Sequence, residues 1–308
     1  MNVNETAKAI SDMSIRGAGR IARAGASALH DFASGYKGSD MNSFRKDLKD
    51  AMSMILGSRP TAVSLWNGVQ ASVRGVDEVS SVKDAVSLIR SNADAFVKAS
   101  EKAVETISRI GAKRIRDGDN VLTHCNSSAA IGAIIEAHRQ GRKIKVFATE
   151  SRPWRQGILT VNDLARAGVD TTLIIDSAVR SVMDRIDVVM VGADTVTAQG
   201  TLVNKIGTSQ VALAANEARV PFVVCTETYK FSPMTLFGDT VTIEERDDVE
   251  IVRPGEVPSS VRIFNPVFDT TPAKYIDAFV TEVGVIHPAS VYDVIIKQFG
   301  NKIFDSRE

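Results

Sequence analysis

The sequence predicts an α/β protein in which a helical region is followed by a mainly parallel sheet with helices on its faces. Two observations predict this class. Up to residue 116 the apolar residues recur at helical spacing, and from Asp117 short apolar runs alternate with helical stretches. The length of 308 residues also suggests about two domains, because single cores usually stop growing near ~250–300 residues. We therefore predict an N-terminal helical domain over residues 1–116 and a Rossmann-like α/β catalytic domain over residues 117–308.

Helices are predicted before residue 117 wherever apolar residues line one face. In the first such segment Phe44, Leu48 and Ile55 repeat in this way. Pro60 and Gly75 fall between segments, where helices are expected to end. The predicted helical segments are 40–56, 61–74 and 80–116.

Strands are predicted from short runs rich in β-branched and apolar residues in the second region. These runs are almost wholly apolar, as expected of strands buried on both faces of a parallel sheet. They are Asn120–Thr123, Ile144–Ala148, Thr172–Ile175, Val188–Val191 and Phe222–Cys225. Helical stretches alternate with them at 129–140, 161–168, 178–185 and 208–219.

Composition and charge argue against several classes of protein. Lys plus Arg and Asp plus Glu both total 37, whereas a nucleic-acid or anionic-membrane binder is usually more basic, so neither partner is expected. Two cysteines, Cys125 and Cys225, cannot build a disulfide framework, and the N-terminus has no apolar signal core. A cytoplasmic protein is therefore expected. No GxGxxG motif occurs, so a dinucleotide cofactor is not expected.

Ligands of an open parallel sheet bind where strands end and helices begin, and the first polar junction of this kind is Thr123–Ser128. The start of the next helix, at about residue 129, can bind an anion through its free amides and its dipole. The same dipole would lower the pKa of Cys125. Equally, Cys125 can be a small buried residue, with Asn126 and Ser127 as helix caps.

Two further junctions are polar. Asp194 lies in the junction Val191–Thr195, just after the apolar run Val188–Val191, and is either a helix cap or a catalytic carboxyl, whose pKa burial would raise. Lys205 precedes Gly207-Thr208, which can open a helix and form a phosphate cradle, although the glycine spacing is not that of a Walker loop.

Cations suited to phosphate lie elsewhere in the chain. Arg16 and Arg20 flank the small residues Gly17-Ala18-Gly19, Arg59 precedes a proline, and Lys230 lies just beyond a strand end. Together with one thiol and one carboxyl, these residues indicate a site for a phosphorylated small molecule.

Several of these segments resemble the motifs of one superfamily. It contains the regulatory subunits of the eukaryotic translation-initiation nucleotide-exchange factor and two sugar-phosphate isomerases. The resemblance runs from about Ile15 to Ile295 and is closest to the archaeal-type ribose-1,5-bisphosphate isomerases. The matching segments are Arg16–Ile21, Thr123–Ser127, Glu150–Pro153, Gly192–Asp194, Asn204–Thr208, Glu227–Phe231 and Asn265–Pro272.

The resemblance implies conversion of ribose 1,5-bisphosphate to ribulose 1,5-bisphosphate in nucleoside-monophosphate (AMP) salvage. It implies Cys125 as proton acceptor and Asp194 as proton donor. The substrate-binding residues that it implies are Arg16, Gly17, Ala18, Gly19, Arg59, Ser127, Ser128, Ala129, Asn204, Lys205 and Lys230.

The resemblance also implies a homo-oligomer, either a dimer or a hexamer built from dimers, and activation by a nucleotide such as AMP. The proton transfers need no metal and no redox cofactor, so none is expected.

One position differs from the isomerase pattern, in which a lysine follows Cys-Asn-Ser where this chain has Ser128. Loss of that cation would weaken phosphate binding or change the ligand. Two alternatives stay open. One is a 5-methylthioribose-1-phosphate isomerase. In that enzyme the first motif is more apolar, whereas this chain has Arg20 after Gly17-Ala18-Gly19. The other is a non-catalytic regulatory subunit that binds initiation factor 2, although such subunits generally lack the pair Cys125 and Asp194.

Overall fold

The computed structural model describes residues 1–238 and 240–299 of the chain. They form two compact units that meet in sequence between Ala103 and Val104. The first unit is helical, and the second contains a mainly parallel sheet flanked by helices. The predicted α/β class is confirmed.

The first unit is formed by helices whose apolar faces make one core. Phe44, Leu48 and Ile55 lie in that core with less than 6% of their surface exposed. The Asp40 carboxylate accepts a hydrogen bond from the Ser43 amide at 2.7 Å and so begins the third helix. The helices are α1 (Val3–Ser11), α2 (Ala18–Gly35), α3 (Met41–Gly57), α4 (Val63–Val73) and α5 (Val82–Ala112).

The long helix α5 passes from the first unit into the second. Its residue Ile107 packs, together with Ile115 beyond the helix end, in a core of the second unit. The boundary between the two compact units therefore lies within α5. The predicted domain boundary between residues 116 and 117 marks instead the point where helices give way to strands.

The strands of the second unit include all five that the sequence predicts, with ends shifted by up to two residues. They are β1 (Asn120–Thr123), β2 (Lys145–Thr149), β3 (Asp170–Ile174), β4 (Val188–Val191), β5 (Thr195–Val196), β6 (Leu202–Lys205), β7 (Phe222–Cys225), β8 (Phe268–Thr271), β9 (Ala278–Thr281) and β10 (Gly284–Ile286).

Within the described residues, the main sheet has seven strands in the order β10-β9-β7-β4-β1-β2-β3. All neighbouring strands are parallel except β10, which is antiparallel to β9. From β1 the chain builds outward through β2 to β3, and it then returns to the other side of β1 to form β4. The sheet is thus doubly wound, with its switch point between β1 and β4.

Helices cover both faces of this sheet because successive residues of a buried strand point to opposite sides. Val121 packs in the core that includes α6 and α7, and its neighbour Leu122 packs in the core that includes α9 and α10. These helices, with the short α8, are α6 (Ser128–Arg139), α7 (Gly157–Arg166), α8 (Val179–Val182), α9 (Thr208–Ala218) and α10 (Val291–Phe299).

A second sheet of the same unit, β5-β6-β8, is antiparallel and was not predicted. Its strands are short, and the buried β6 carries polar residues at Asn204 and Lys205. The sequence pattern of a buried strand is therefore missing there. None of the helices in the described part of the chain is long and apolar enough to span a bilayer.

Candidate functional site

Cys125 and Asp194 follow the two strands at the switch point of the sheet. β1 and β4 are parallel neighbours, with Leu122 opposite Val189, so both strands end at the same edge of the sheet. The Asp194 carboxylate lies near enough to the Cys125 thiol to raise its pKa. The structure therefore brings the two predicted catalytic residues together at the edge where open α/β sheets bind their ligands.

The backbone of Cys125 adopts a left-handed conformation, with φ of 68°, which a residue other than glycine rarely occupies. Hydroxyl groups bind both of its peptide groups. The Cys125 amide donates to Ser151 Oγ at 2.8 Å, and the Thr160 hydroxyl donates to the Cys125 carbonyl at 2.6 Å. The turn that carries the thiol is thus fixed by side chains from the β2–α7 loop and from α7.

The sequence argument for a lowered thiol pKa is wrong for this structure. Burial raises the pKa of Cys125 to about 11, and the Asp194 carboxylate contributes in the same direction. The Lys205 ammonium and the Asn126 amide lower the pKa, but not by enough to offset the loss of water around the sulfur. In the absence of ligand, Cys125 is therefore a neutral thiol at pH 7.

The predicted substrate-binding residues after Cys125 form the start of α6. Ser127 is the N-cap, and its hydroxyl accepts a hydrogen bond from the Ala130 amide at 3.4 Å. Ser128 and Ala129 are the first two residues of the helix, where backbone amides have no partner within a helix. Gly192, at the end of β4, lies against Ser127 so closely that a Cβ atom there would overlap its side chain.

Asn204 and Lys205 lie on β6 and are both buried, with 5% and 7% of their surface exposed. The Asn204 amide donates to the Thr208 hydroxyl at 3.0 Å. The Lys205 ammonium lies 5.2 Å from the centre of the Phe268 ring and lowers the pKa of the Cys125 thiol. Lys205 therefore supplies positive charge that acts on the Cys125 thiol.

The phosphate cradle expected at Gly207-Thr208 is occupied by the protein itself. Asp269 accepts hydrogen bonds from the Gly207 amide at 2.8 Å and from the Ser209 hydroxyl at 2.8 Å. The Ser209 amide also donates to the same carboxylate. A carboxylate already satisfies the amides at the start of α9, so this part of the sequence prediction is wrong.

Lys230 forms a buried ion pair rather than facing the site alone. Its ammonium is 2.7 Å from Glu227 Oε2, and both side chains are less than 10% exposed. Burial lowers the pKa of Lys230, but the Glu227 carboxylate, with smaller contributions from Tyr229 and Asp194, raises it to about 12. The influence of Asp194 places its carboxylate near this ammonium as well as near Cys125.

The remaining predicted binding residues belong to the first unit. Gly17 has φ of 90° and is the N-cap of α2, and Ala18 and Gly19 form the first turn of that helix. Arg59 follows α3, and its guanidinium donates to the sulfur of Met13 at 3.7 Å. Arg59 therefore lies beside the segment that leads into Arg16.

The contacts of Glu227 and Asp269 were not predicted from the sequence, although both residues belong to segments that resemble family motifs. Asp269 caps a helix about sixty residues earlier in the chain, so local sequence does not show its role. A signal was present, because α9 begins at glycine without a capping side chain of its own. Such a start indicates that a side chain from elsewhere satisfies the amides.

The amino-acid sequence of the chain is similar to those of two archaeal enzymes. It is 48% identical over 298 residues to the ribose 1,5-bisphosphate isomerase of Methanocaldococcus jannaschii, covering 97% of this chain and 96% of that protein. It is 50% identical over 298 residues to the ribose 1,5-bisphosphate isomerase of Archaeoglobus fulgidus, covering 97% and 94%.

A solved structure shares the fold. The translation initiation factor eIF-2B of Pyrococcus horikoshii superposes with a TM-score of 0.80 at 31% identity, covering 93% of this chain and 97% of that chain. The model of the initiation factor 2 subunit family matches residues 14–288, which cover most of each unit and include the residues of the candidate site. By sequence and by fold, the chain belongs to the initiation factor 2 subunit family.

Proposed function

We propose that the chain is an aldose–ketose isomerase that converts ribose 1,5-bisphosphate to ribulose 1,5-bisphosphate in nucleoside-monophosphate salvage. One observation carries the proposal: the Cys125 thiol and the Asp194 carboxyl follow the two neighbouring strands at the switch point, where the Lys205 ammonium acts on the thiol and the Asp194 carboxyl acts on the Lys230 ammonium. The two archaeal relatives of that name, each aligned with nearly the whole chain, support this choice of substrate.

The reaction needs one group that acts on oxygen and one that acts on carbon. The phosphate on C1 prevents simple release of an aldehyde, so the ring must open with a proton supplied to the ring oxygen. In the proposed mechanism Asp194 donates that proton as the bond between C1 and the ring oxygen breaks. Cys125, which is a neutral thiol in the free protein, first loses its proton to solvent, and the resulting thiolate takes the proton from C2 and leaves an enol phosphate.

The second half of the reaction restores both groups. Asp194, now a carboxylate, takes the proton from the C2 hydroxyl as the ketone forms. Cys125 returns its proton to C1, which becomes the CH₂ group that bears the phosphate. Each such proton transfer by a positioned group typically contributes roughly 10²–10⁴-fold to the rate.

Cations and backbone amides hold the two phosphates in the proposed complex. Lys205, which acts on the Cys125 thiol, and the amides at the start of α6, which follows Cys125 in the chain, supply anion-binding groups. Lys230 keeps N–H donors for a phosphate beyond the one that faces Glu227, because an ammonium group has three. That Arg16 and Arg59 also bind phosphate stays a prediction from the sequence.

The test is an assay with purified protein and ribose 1,5-bisphosphate, with and without AMP, that detects ribulose 1,5-bisphosphate. A parallel reaction contains 5-methylthioribose 1-phosphate. We expect turnover of the bisphosphate, loss of turnover in Cys125→Ser and Asp194→Asn, and retained substrate binding in both variants. Turnover of the thioribose alone would refute the proposed substrate, and near wild-type rates in either variant would refute that residue's role.

A further inference from the structure

A chain of buried side chains runs from His124 to the backbone of Cys125. The His124 ring, 1% exposed, lies 2.6 Å through Nδ1 from Thr149 Oγ1 and 2.9 Å through Nε2 from the Ile206 carbonyl oxygen. Thr149 Oγ1 lies 3.1 Å from Ser151 Oγ, which accepts the Cys125 amide hydrogen. Both hydroxyl-bearing residues are at most 1% exposed.

The donor and acceptor of each hydrogen bond in this series follow from the two groups at its ends, the Ile206 carbonyl and the Cys125 amide. A carbonyl oxygen can only accept, so His124 Nε2 carries a hydrogen and donates to Ile206. Burial lowers the pKa of His124, so the ring is neutral and Nδ1 accepts. Thr149 then donates to Nδ1 and accepts from the Ser151 hydroxyl, whose oxygen remains available for the Cys125 amide.

This series of hydrogen bonds ends at Cys125, whose backbone is strained. Cys125 has φ of 68° and Ser151 has φ of 61°. A residue other than glycine is strained in this conformation, which persists only where its surroundings hold it. The neutral His124 ring also lies against Gly207, where a Cβ atom would be 3.1 Å from the ring, so it joins the Cys125 turn to the segment after Lys205.

We propose that His124, Thr149 and Ser151 are positioning residues, which act through their directed hydrogen bonds to hold the Cys125 turn and its thiol in the reactive place. This inference rests on the proposed function for its catalytic consequence. The positioning itself is a property of the protein without substrate, so it can be measured separately.

The first measurement follows alkylation of Cys125 by iodoacetamide against pH, with peptide mass spectrometry to identify the modified cysteine. Ser151→Gly removes the hydroxyl but suits the left-handed backbone, so the variant is expected to fold. Because loss of water is the largest cause of the high Cys125 pKa, a released thiol should titrate lower, toward the ~8.5 of an exposed cysteine. We expect at least about tenfold faster alkylation of Ser151→Gly than of the wild type at pH 8.

The second measurement is isomerase kinetics on the same variants. A displacement of about 1 Å can lower turnover by about 10²-fold, so Ser151→Gly and Thr149→Val should lose roughly ten- to a hundredfold in kcat while KM changes less than about threefold. Thr149→Ser, which restores the hydroxyl, should recover most of kcat. The matched control is Thr281→Val, which removes an equally buried hydroxyl that donates to the Gly284 carbonyl at 2.8 Å; it should alter neither quantity.

The two measurements separate the possible failures. Unchanged alkylation in Ser151→Gly and Thr149→Val would overturn the positioning role, whatever the enzyme activity. Altered alkylation with recovery in Thr149→Ser, in a protein that shows no isomerase activity, would support the positioning role and refute the proposed function. Equal effects in Thr281→Val would show a general loss of packing and would also overturn the inference.

Discussion

Removal of Glu227 should destabilise the protein and reverse the pH dependence of its stability. In the wild type, Glu227 and Lys230 are separated by 2.7 Å and are nearly inaccessible to water. The rise of the Lys230 pKa from 10.5 to about 12 corresponds to about 2 kcal/mol of stability. Glu227→Gln leaves a buried ammonium without its partner, which typically costs about 3–5 kcal/mol.

The sign of the pH dependence follows from the direction of each pKa. In the wild type the raised pKa of Lys230 contributes stability below pH 10.5 that is lost as pH rises through about 12. The lowered pKa of Glu227 contributes stability above pH 4.5 that is lost in acid. In Glu227→Gln, burial is left as the main influence and places the Lys230 pKa below 10.5, so stability should increase as pH rises toward that value.

The assay is urea denaturation followed by circular dichroism at pH 7, 8 and 9. We expect Glu227→Gln to unfold at a lower urea concentration at pH 7 and to regain part of the loss by pH 9. The control is Glu217→Gln, which removes the partner of the exposed Arg180 at 3.1 Å and should leave the midpoint unchanged. A midpoint of Glu227→Gln that matches the wild type at pH 7, or a loss that does not shrink with pH, would refute this account of the pair.

Four further outcomes are expected. Without substrate, the wild-type Cys125 should be alkylated about tenfold faster for each pH unit between 7 and 10, because its pKa is about 11. Lys205→Met should slow that reaction at every pH in the range; equal rates would exclude an electrostatic effect of Lys205 on the thiol. Thr271→Val should leave the melting temperature unchanged or raise it, because the hydroxyl is buried without a partner among the described residues; a fall of several degrees would contradict this. Gly192→Ala should lower the melting temperature and isomerase activity together, because its Cβ would displace Ser127 from the start of α6; full activity would show that the turn adapts.

The place of the candidate site was predictable, because it depends on a property of the whole sheet. Strands that alternate with helices must be parallel, and parallel strands end at one edge. Cys125 and Asp194 follow two such strands, and that position alone implied that they would lie at the same edge of the sheet. Sequence could not show that β1 and β4 are adjacent at the switch point, since this depends on the order of strands rather than on any one of them.

The electrostatics of the site was not predictable in the same way. A helix dipole acts over one turn and can be inferred from local sequence, so it suggested a low pKa for Cys125. Burial depends on residues from the whole unit, and here it is the larger effect. The pairing of Lys230 with Glu227 joins residues three positions apart and was within reach of a local argument. The contact between Asp269 and α9 was not, because it crosses about sixty residues.

Asp269 acts as an intramolecular ligand for the start of α9. A tethered group of this kind is present at its own site at an effective concentration in the millimolar range or above. A free phosphorylated metabolite at lower concentration must therefore displace a competitor that never diffuses away. The amides at the start of α6 have no such tethered carboxylate among the described residues, since Ser127 caps them with a neutral hydroxyl. In the proposed function, an incoming phosphate therefore binds at the start of α6 rather than at the start of α9, whose amides already donate to Asp269.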